Sequence, residues 1–161
     1  MTSRPELVDV WIFRIRAGSP EILMLRRSPT KVLPGLWQGV SGGIEEGETI
    51  AAAALREVVE ETEIGPSRID GFYTLDLVTS FYWEPWDRAM SSTYFALRVG
   101  PDTEPTLSHE HDASEWLAVD EALRRSVWPA YRDAITRINE NLLDPEREPW
   151  FRIELPAEAG L

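Results

Sequence analysis

From Gly42 to Ile64 the chain reads Gly-Gly-Ile-Glu-Glu-Gly-Glu-Thr-Ile-Ala-Ala-Ala-Ala-Leu-Arg-Glu-Val-Val-Glu-Glu-Thr-Glu-Ile. Thr49 is a good N-cap, and Ile50 to Thr62 holds neither Gly nor Pro, so the spacing predicts a helix there. Ala51, Ala54, Leu55 and Val58 form its apolar face. Glu57, Glu60 and Glu61 stand at i, i+3 and i+4 and share a second face. Three like charges on one face destabilise a helix unless a cation joins them. Carboxylates without sulfur or an evident imidazole ligand select a hard ion: magnesium, manganese or calcium. The glycines ahead of the helix allow tight, left-handed turns close to a metal or phosphate. A solvated acidic helix face is the plainer alternative, and three glutamates alone would favour it. The expected local design is a helix anchored on a sheet by small residues, presenting charge on its other side.

The remaining pattern mixes strands and helices in one domain. Leu7–Arg16 and Glu21–Arg26 read as a strand pair across the turn Ala17-Gly18-Ser19-Pro20. Trp37–Ser41 reads as a short strand, Phe72–Ser80 and Ser92–Val99 as two more, and Ser114–Val119 as the last. Phe81–Met90 is expected to be an aromatic loop. Asp120 is expected to cap a short helix. Pro129 opens a final one with a stripe of Tyr131, Ile135, Ile138 and Leu142. The fold class is therefore α/β or α+β, with the domain at 1–143 and a mobile or loosely docked tail at 144–161.

Composition limits function. The 161 residues carry a net charge of −12. That argues against a general binder of nucleic acid or anionic membrane, which needs a basic face. No cysteine is present, which removes disulfides, thiolate metal sites and cysteine nucleophiles. No apolar run is long enough to span a bilayer and Met1–Glu6 does not open a signal peptide, so a cytoplasmic protein is expected. Carboxylates repel phosphates, so an acidic phosphate-handling chain needs its acids clustered around divalent cations.

The 42–64 string resembles the Nudix signature. Gly42, Glu48, Arg56, Glu57, Val58, Glu60, Glu61 and Ile64 match it in register. Glu63 departs from it, standing where the signature has a glycine that turns the chain at the helix end; Gly65 is the expected substitute. The resemblance implies an α/β/α sandwich around a mixed sheet and a Mg2+- or Mn2+-dependent pyrophosphohydrolase, cleaving a phosphoanhydride bond in a nucleotide-like small molecule. It implies that Glu57 and Glu61 bind the metal directly, that Glu60 joins them directly or through water, and that Glu48 assists. It also implies that the Ser41 carbonyl contributes and that Arg56 orients a glutamate. Ile22–Arg27, Leu36–Gly42 and His109-Glu110-His111 ahead of Trp116-Leu117 resemble the dihydroneopterin triphosphate and dATP pyrophosphatase subgroup. That likeness makes Glu110 a further ligand or the general base.

Outside those matches, Arg26 and Arg27 are candidates for phosphate or base contact, with surface charge as the even alternative. Tyr82, Trp83 and Trp86 are candidates for stacking on a substrate ring; packing, or a homodimer contact, is the alternative. His109 and His111 lack further zinc ligands and read as ordinary loop histidines, His111 with a minor prospect of aiding proton transfer. A non-catalytic Nudix-fold module and a dinucleoside polyphosphate hydrolase, for which Tyr82 is thin support, stay open as alternatives.

Overall fold

The computed structural model describes residues 6–157. The reading of Met1–Pro5 and the last four residues of the tail fall outside them. Strand β1 (Leu7–Arg16) turns through Ala17 and Gly18, both at positive φ, into antiparallel β2 (Ser19–Arg27). Two consecutive left-handed residues make the tight turn whose twist matches that of paired strands. The two strands pair only from Phe13↔Ile22 to Arg16↔Ser19 and then splay. The gap is filled by β3 (Trp37–Gln38), which pairs with β2, and β4 (Val40–Gly43), which pairs with Leu7–Val10 of β1. The signature therefore enters its helix from inside the sheet.

On its other side β1 runs parallel to β6 (Arg88–Val99), which forms a long hairpin with β5 (Ile69–Trp83). Strand β7 (His111–Ala118) pairs with β2. Among the described residues the result is one mixed sheet of eight strands. Alternation along each strand sends side chains to two cores. Val8, Val10, Ile12, Leu23, Leu25 and Val40 meet helix α1 (Ile50–Thr62) on one face. Trp11, Phe13, Ile22 and Met24 meet α2 (Val119–Arg125) and α3 (Pro129–Arg137) on the other. This is the expected α/β/α arrangement.

Helix α1 has the expected bounds, and Thr49 Oγ1 accepts from Ala52 N at 3.1 Å. Ala53, Ala54, Leu55 and Val58 are buried against the sheet, while Ala51 is half-buried. The helix end differs from expectation: Glu63 itself takes the left-handed conformation, φ 57°, and its N–H donates to Val59 O at 2.9 Å. Gly65 is not at positive φ. The turn tucks Ile64 wholly into the core, and that burial holds a non-glycine residue in a glycine conformation.

Three further expectations change. Phe81, Tyr82 and Trp83 belong to β5, because aromatic residues continue the ladder to the tip; only Glu84–Trp86 and Asp87 form the turn. Helix α2 starts one residue before Asp120, with Ala118 at its N-cap. Within residues 144–157, α4 (Glu148–Phe151) leads to β8 (Arg152–Ile153), which pairs with Phe72 and Tyr73 of β5. The stripe Tyr131, Ile135, Ile138 and Leu142 is buried as expected, its last two residues lying in a π-helical turn, Ile138–Leu142, that follows α3. No helix among the described residues is long and apolar enough to cross a membrane.

Candidate active site

The three helix glutamates do not share one environment. Glu57 and Glu61 are buried, Glu61 to 1% exposure, whereas the Glu60 side chain is 56% exposed. The Glu57 carboxylate occupies the space that a side chain on Gly42 would need. Only a glycine at 42 lets β4 pass this close to the helix.

Arg56 ties the region together. Its Nε and Nη2 donate to the two oxygens of Glu48, at 3.0 and 2.7 Å. Nη1 donates to Glu57 at 2.8 Å and Glu60 at 3.2 Å, and Nη2 also reaches the Gly43 carbonyl at 2.8 Å. A planar guanidinium fork suits such an assembly. Glu48 also accepts from Glu45 N at 2.8 Å. Its oxygens thus brace the loop onto the helix.

Glu110 and His111 arrive from the start of β7. One ligand atom from each of Glu61, Glu110 and His111 lies within 4.8 Å of the others. Both Glu61 oxygens and His111 Nδ1 are buried without a hydrogen-bond partner. Burial, then the charges of Glu110 and Glu57, push the Glu61 carboxyl up to about 10. Burial also raises Glu57, against the pull of Arg56. His111 is lowered to about 4 by burial and by Arg27. The 3.6 Å approach of His111 Nδ1 to Glu61 is thus a neutral ring beside a carboxyl, not an ion pair. Acids gathered this closely in low dielectric are costly in their charged form unless a cation joins them. The donor set fits a divalent metal: this is a potential acidic metal site.

His111 is a buried strand residue, contrary to the loop expectation. Its Nε2 lies 3.0 Å from Gln38 Oε1. Gln38 Oε1 also accepts from Arg27 Nη1 at 3.4 Å, and Gln38 Nε2 donates to Tyr131 OH at 3.3 Å. The sequence pointed to neither Gln38 nor the burial of His111, although their places beside Trp37 and Glu110 were visible. On the opposite face of β1, Asp9 is buried between Ser41 and Ser92, and burial raises its carboxyl to about 6.

Of the other expected site residues, Arg27 lies beside this network, while the rest stand further out. Ser41 sits in β4 beside Gly42, its side chain turned to Asp9. Arg26 is engaged by Asp112 at 2.8 Å, and Arg27 donates to Val32 O at 2.7 Å. Tyr82 and Trp86 stand exposed at the hairpin end, the Tyr82 hydroxyl donating to Asp87 at 2.9 Å; Trp83 is half-buried. That hairpin passes beyond Leu7, which pairs with Ser92 on one side and Gly43 on the other.

The site is thus a loop-helix-loop entered from between splayed strands, with a buried acid set against its glycine. The NUDIX domain model matches residues 5–138, and the chain belongs to the Nudix family, as a Nudix hydrolase. An octanoyltransferase of Myxococcus xanthus is 33% identical over 135 residues, 83% of this chain, which spans 37% of that protein's length. A dihydroneopterin triphosphate diphosphatase of Escherichia coli is 51% identical over 57 residues, 35% of this chain and 36% of its own. The structure of a NUDIX hydrolase from Listeria monocytogenes superposes with a TM-score of 0.74 at 26% identity, covering 87% of this chain and 95% of that one.

Proposed function

We propose that this domain is a divalent-metal-dependent pyrophosphohydrolase acting on a nucleoside polyphosphate or pterin triphosphate. The observation that carries this reading is the convergence of Glu61, Glu110 and His111, with Glu57 beside Glu61 and both Glu61 oxygens buried without a partner among the described residues. Glu57, Glu61 and Glu110 would hold Mg2+ or Mn2+, with the Ser41 carbonyl and Glu60 as further ligands and Glu48 assisting. When bound, the ion offsets phosphate charge and acidifies a nearby water. Arg56 keeps Glu48 and Glu57 in place through its fork of hydrogen bonds. Glu110 comes from a different element than the helix acids, and where it is not engaged as a ligand it is the base that takes the proton from the attacking water. Water oxygen bonds to phosphorus, the bridging P–O bond breaks, and the departing phosphate leaves with its electrons. Arg26 and Arg27 steady the phosphate chain. Tyr82, Trp83 and Trp86 offer ring faces to the base or pterin.

The test is phosphate and pyrophosphate release by the full chain with Mg2+ or Mn2+. The panel holds ribo- and deoxynucleoside triphosphates, dihydroneopterin triphosphate and dinucleoside tetraphosphate. We expect metal-dependent turnover of at least one compound, abolished in Glu61→Gln. Binding without turnover of any compound would point instead to a non-catalytic module and sink the proposal.

A further inference from the structure

We infer that His111 is a nitrogen ligand of the metal, making this a mixed oxygen and nitrogen site that prefers Mn2+ to Mg2+. The inference rests on the reading above that Glu61 holds a divalent cation. It starts from the orientation of Gln38. The amide nitrogen is committed to Tyr131 OH, and Arg27 Nη1, which can only donate, points at Oε1. Oε1 is therefore an acceptor on both sides, and His111 Nε2 must carry the proton it receives at 3.0 Å. Nδ1 then bears a bare lone pair. It is fully buried, has no partner, and faces Glu61 Oε1 at 3.6 Å, too far for a hydrogen bond between them. At that distance no hydrogen bond joins the two atoms, and a cation between them would take a lone pair from each. A spread of up to 4.8 Å among the donors of Glu61, Glu110 and His111 is close to the distance across one ion.

The surroundings follow the arrangement that supports metal-binding histidines: the second ring nitrogen donates to a fixed acceptor, which sets the tautomer and ring angle. Gln38 supplies that acceptor, and Arg27 and Tyr131 fix Gln38 in turn. An imidazole donor suits first-row transition ions better than Mg2+, which favours oxygen ligands and retains its waters.

The test is Mn2+ titrated into the full chain without substrate, read by pulsed electron paramagnetic resonance for 14N coupling. We expect coupling from one directly bound imidazole in the parent and in His109→Gln, and none in His111→Asn. Gln38→Leu should weaken Mn2+ binding about 10- to 100-fold with the nitrogen signal altered. Mn2+ that binds through Glu61, and is lost in Glu61→Gln, yet shows no nitrogen coupling would overturn His111 as a ligand and leave the proposed function standing. No Mn2+ binding at all would overturn both. The parent spectrum decides the matter even if His111→Asn does not fold.

Discussion

The carboxylate of Glu57 fills the space where a side chain on Gly42 would stand. Gly42 is not at positive φ, so alanine there meets no backbone strain and its effect is confined to this contact. Gly42→Ala should push Glu57 out of its pocket while the two cores stay packed. We expect metal affinity to fall by more than tenfold, read by calorimetric titration with Mn2+, with an unchanged circular dichroism spectrum. Unaltered affinity would mean that Glu57 is not a ligand.

Arg56 joins Glu48, Glu57, Glu60 and the Gly43 carbonyl, which a lysine cannot do at once. Arg56→Lys should therefore cost about 10- to 100-fold in kcat/KM, the range seen when a group orienting a metal ligand is lost. The measurement is steady-state kinetics at saturating metal; a loss below threefold would show that the glutamates position themselves.

Glu63 holds a left-handed conformation at the end of α1. Such a conformation costs a residue with a side chain about 1 kcal/mol or more, partly offset by the greater unfolded freedom of glycine. Glu63→Gly should raise stability by roughly 0.5–1 kcal/mol in urea unfolding. A lower stability would show that the Glu63 side chain makes a compensating contribution.

Asp9 has a carboxyl raised from 3.8 to about 6. The folded state therefore binds this proton more tightly than the unfolded chain. The resulting stability is fully present below about pH 3.8 and is lost as pH rises through about 6. Between pH 7 and pH 5 the group should add about 1 kcal/mol. Urea unfolding of the parent and Asp9→Asn at both values isolates it, since other carboxylates are common to both. Parallel pH dependence in the two would refute the shift.

Much of this was legible in the sequence, for identifiable reasons. Helix α1 has its expected bounds because a threonine cap, an alanine-rich face and the absence of Gly and Pro all agree. The strand pair β1–β2 and the buried stripe on α3 follow from hydrophobic period in the same way. The end of α1 was misjudged because the burial of Ile64, a tertiary effect, overrides the conformational preference of Glu63. The aromatic run 81–83 reads equally as strand or loop until its partner across the hairpin is known. Glu110 was singled out through likeness to a family subgroup, and the fold sets it beside Glu61. His111 read as a loop histidine and Gln38 carried no separate signal, since their burial and contact depend on β7 lying beside β2, a pairing between residues far apart in the chain.

The short strand Arg152–Ile153 covers Phe72 and Tyr73 at the outer margin of the sheet. Just beyond, the ladder is interrupted between Thr74 and Val78, where Asp76 takes positive φ. Exposed strand margins are templates on which other chains can add, and natural proteins blunt them with short cover strands and bulges. Here cover and bulge lie end to end along β5. A chain cut before Glu148 would keep every acid of the site yet lose half of that protection. Its handicap would be insolubility, growing with concentration, rather than defective chemistry.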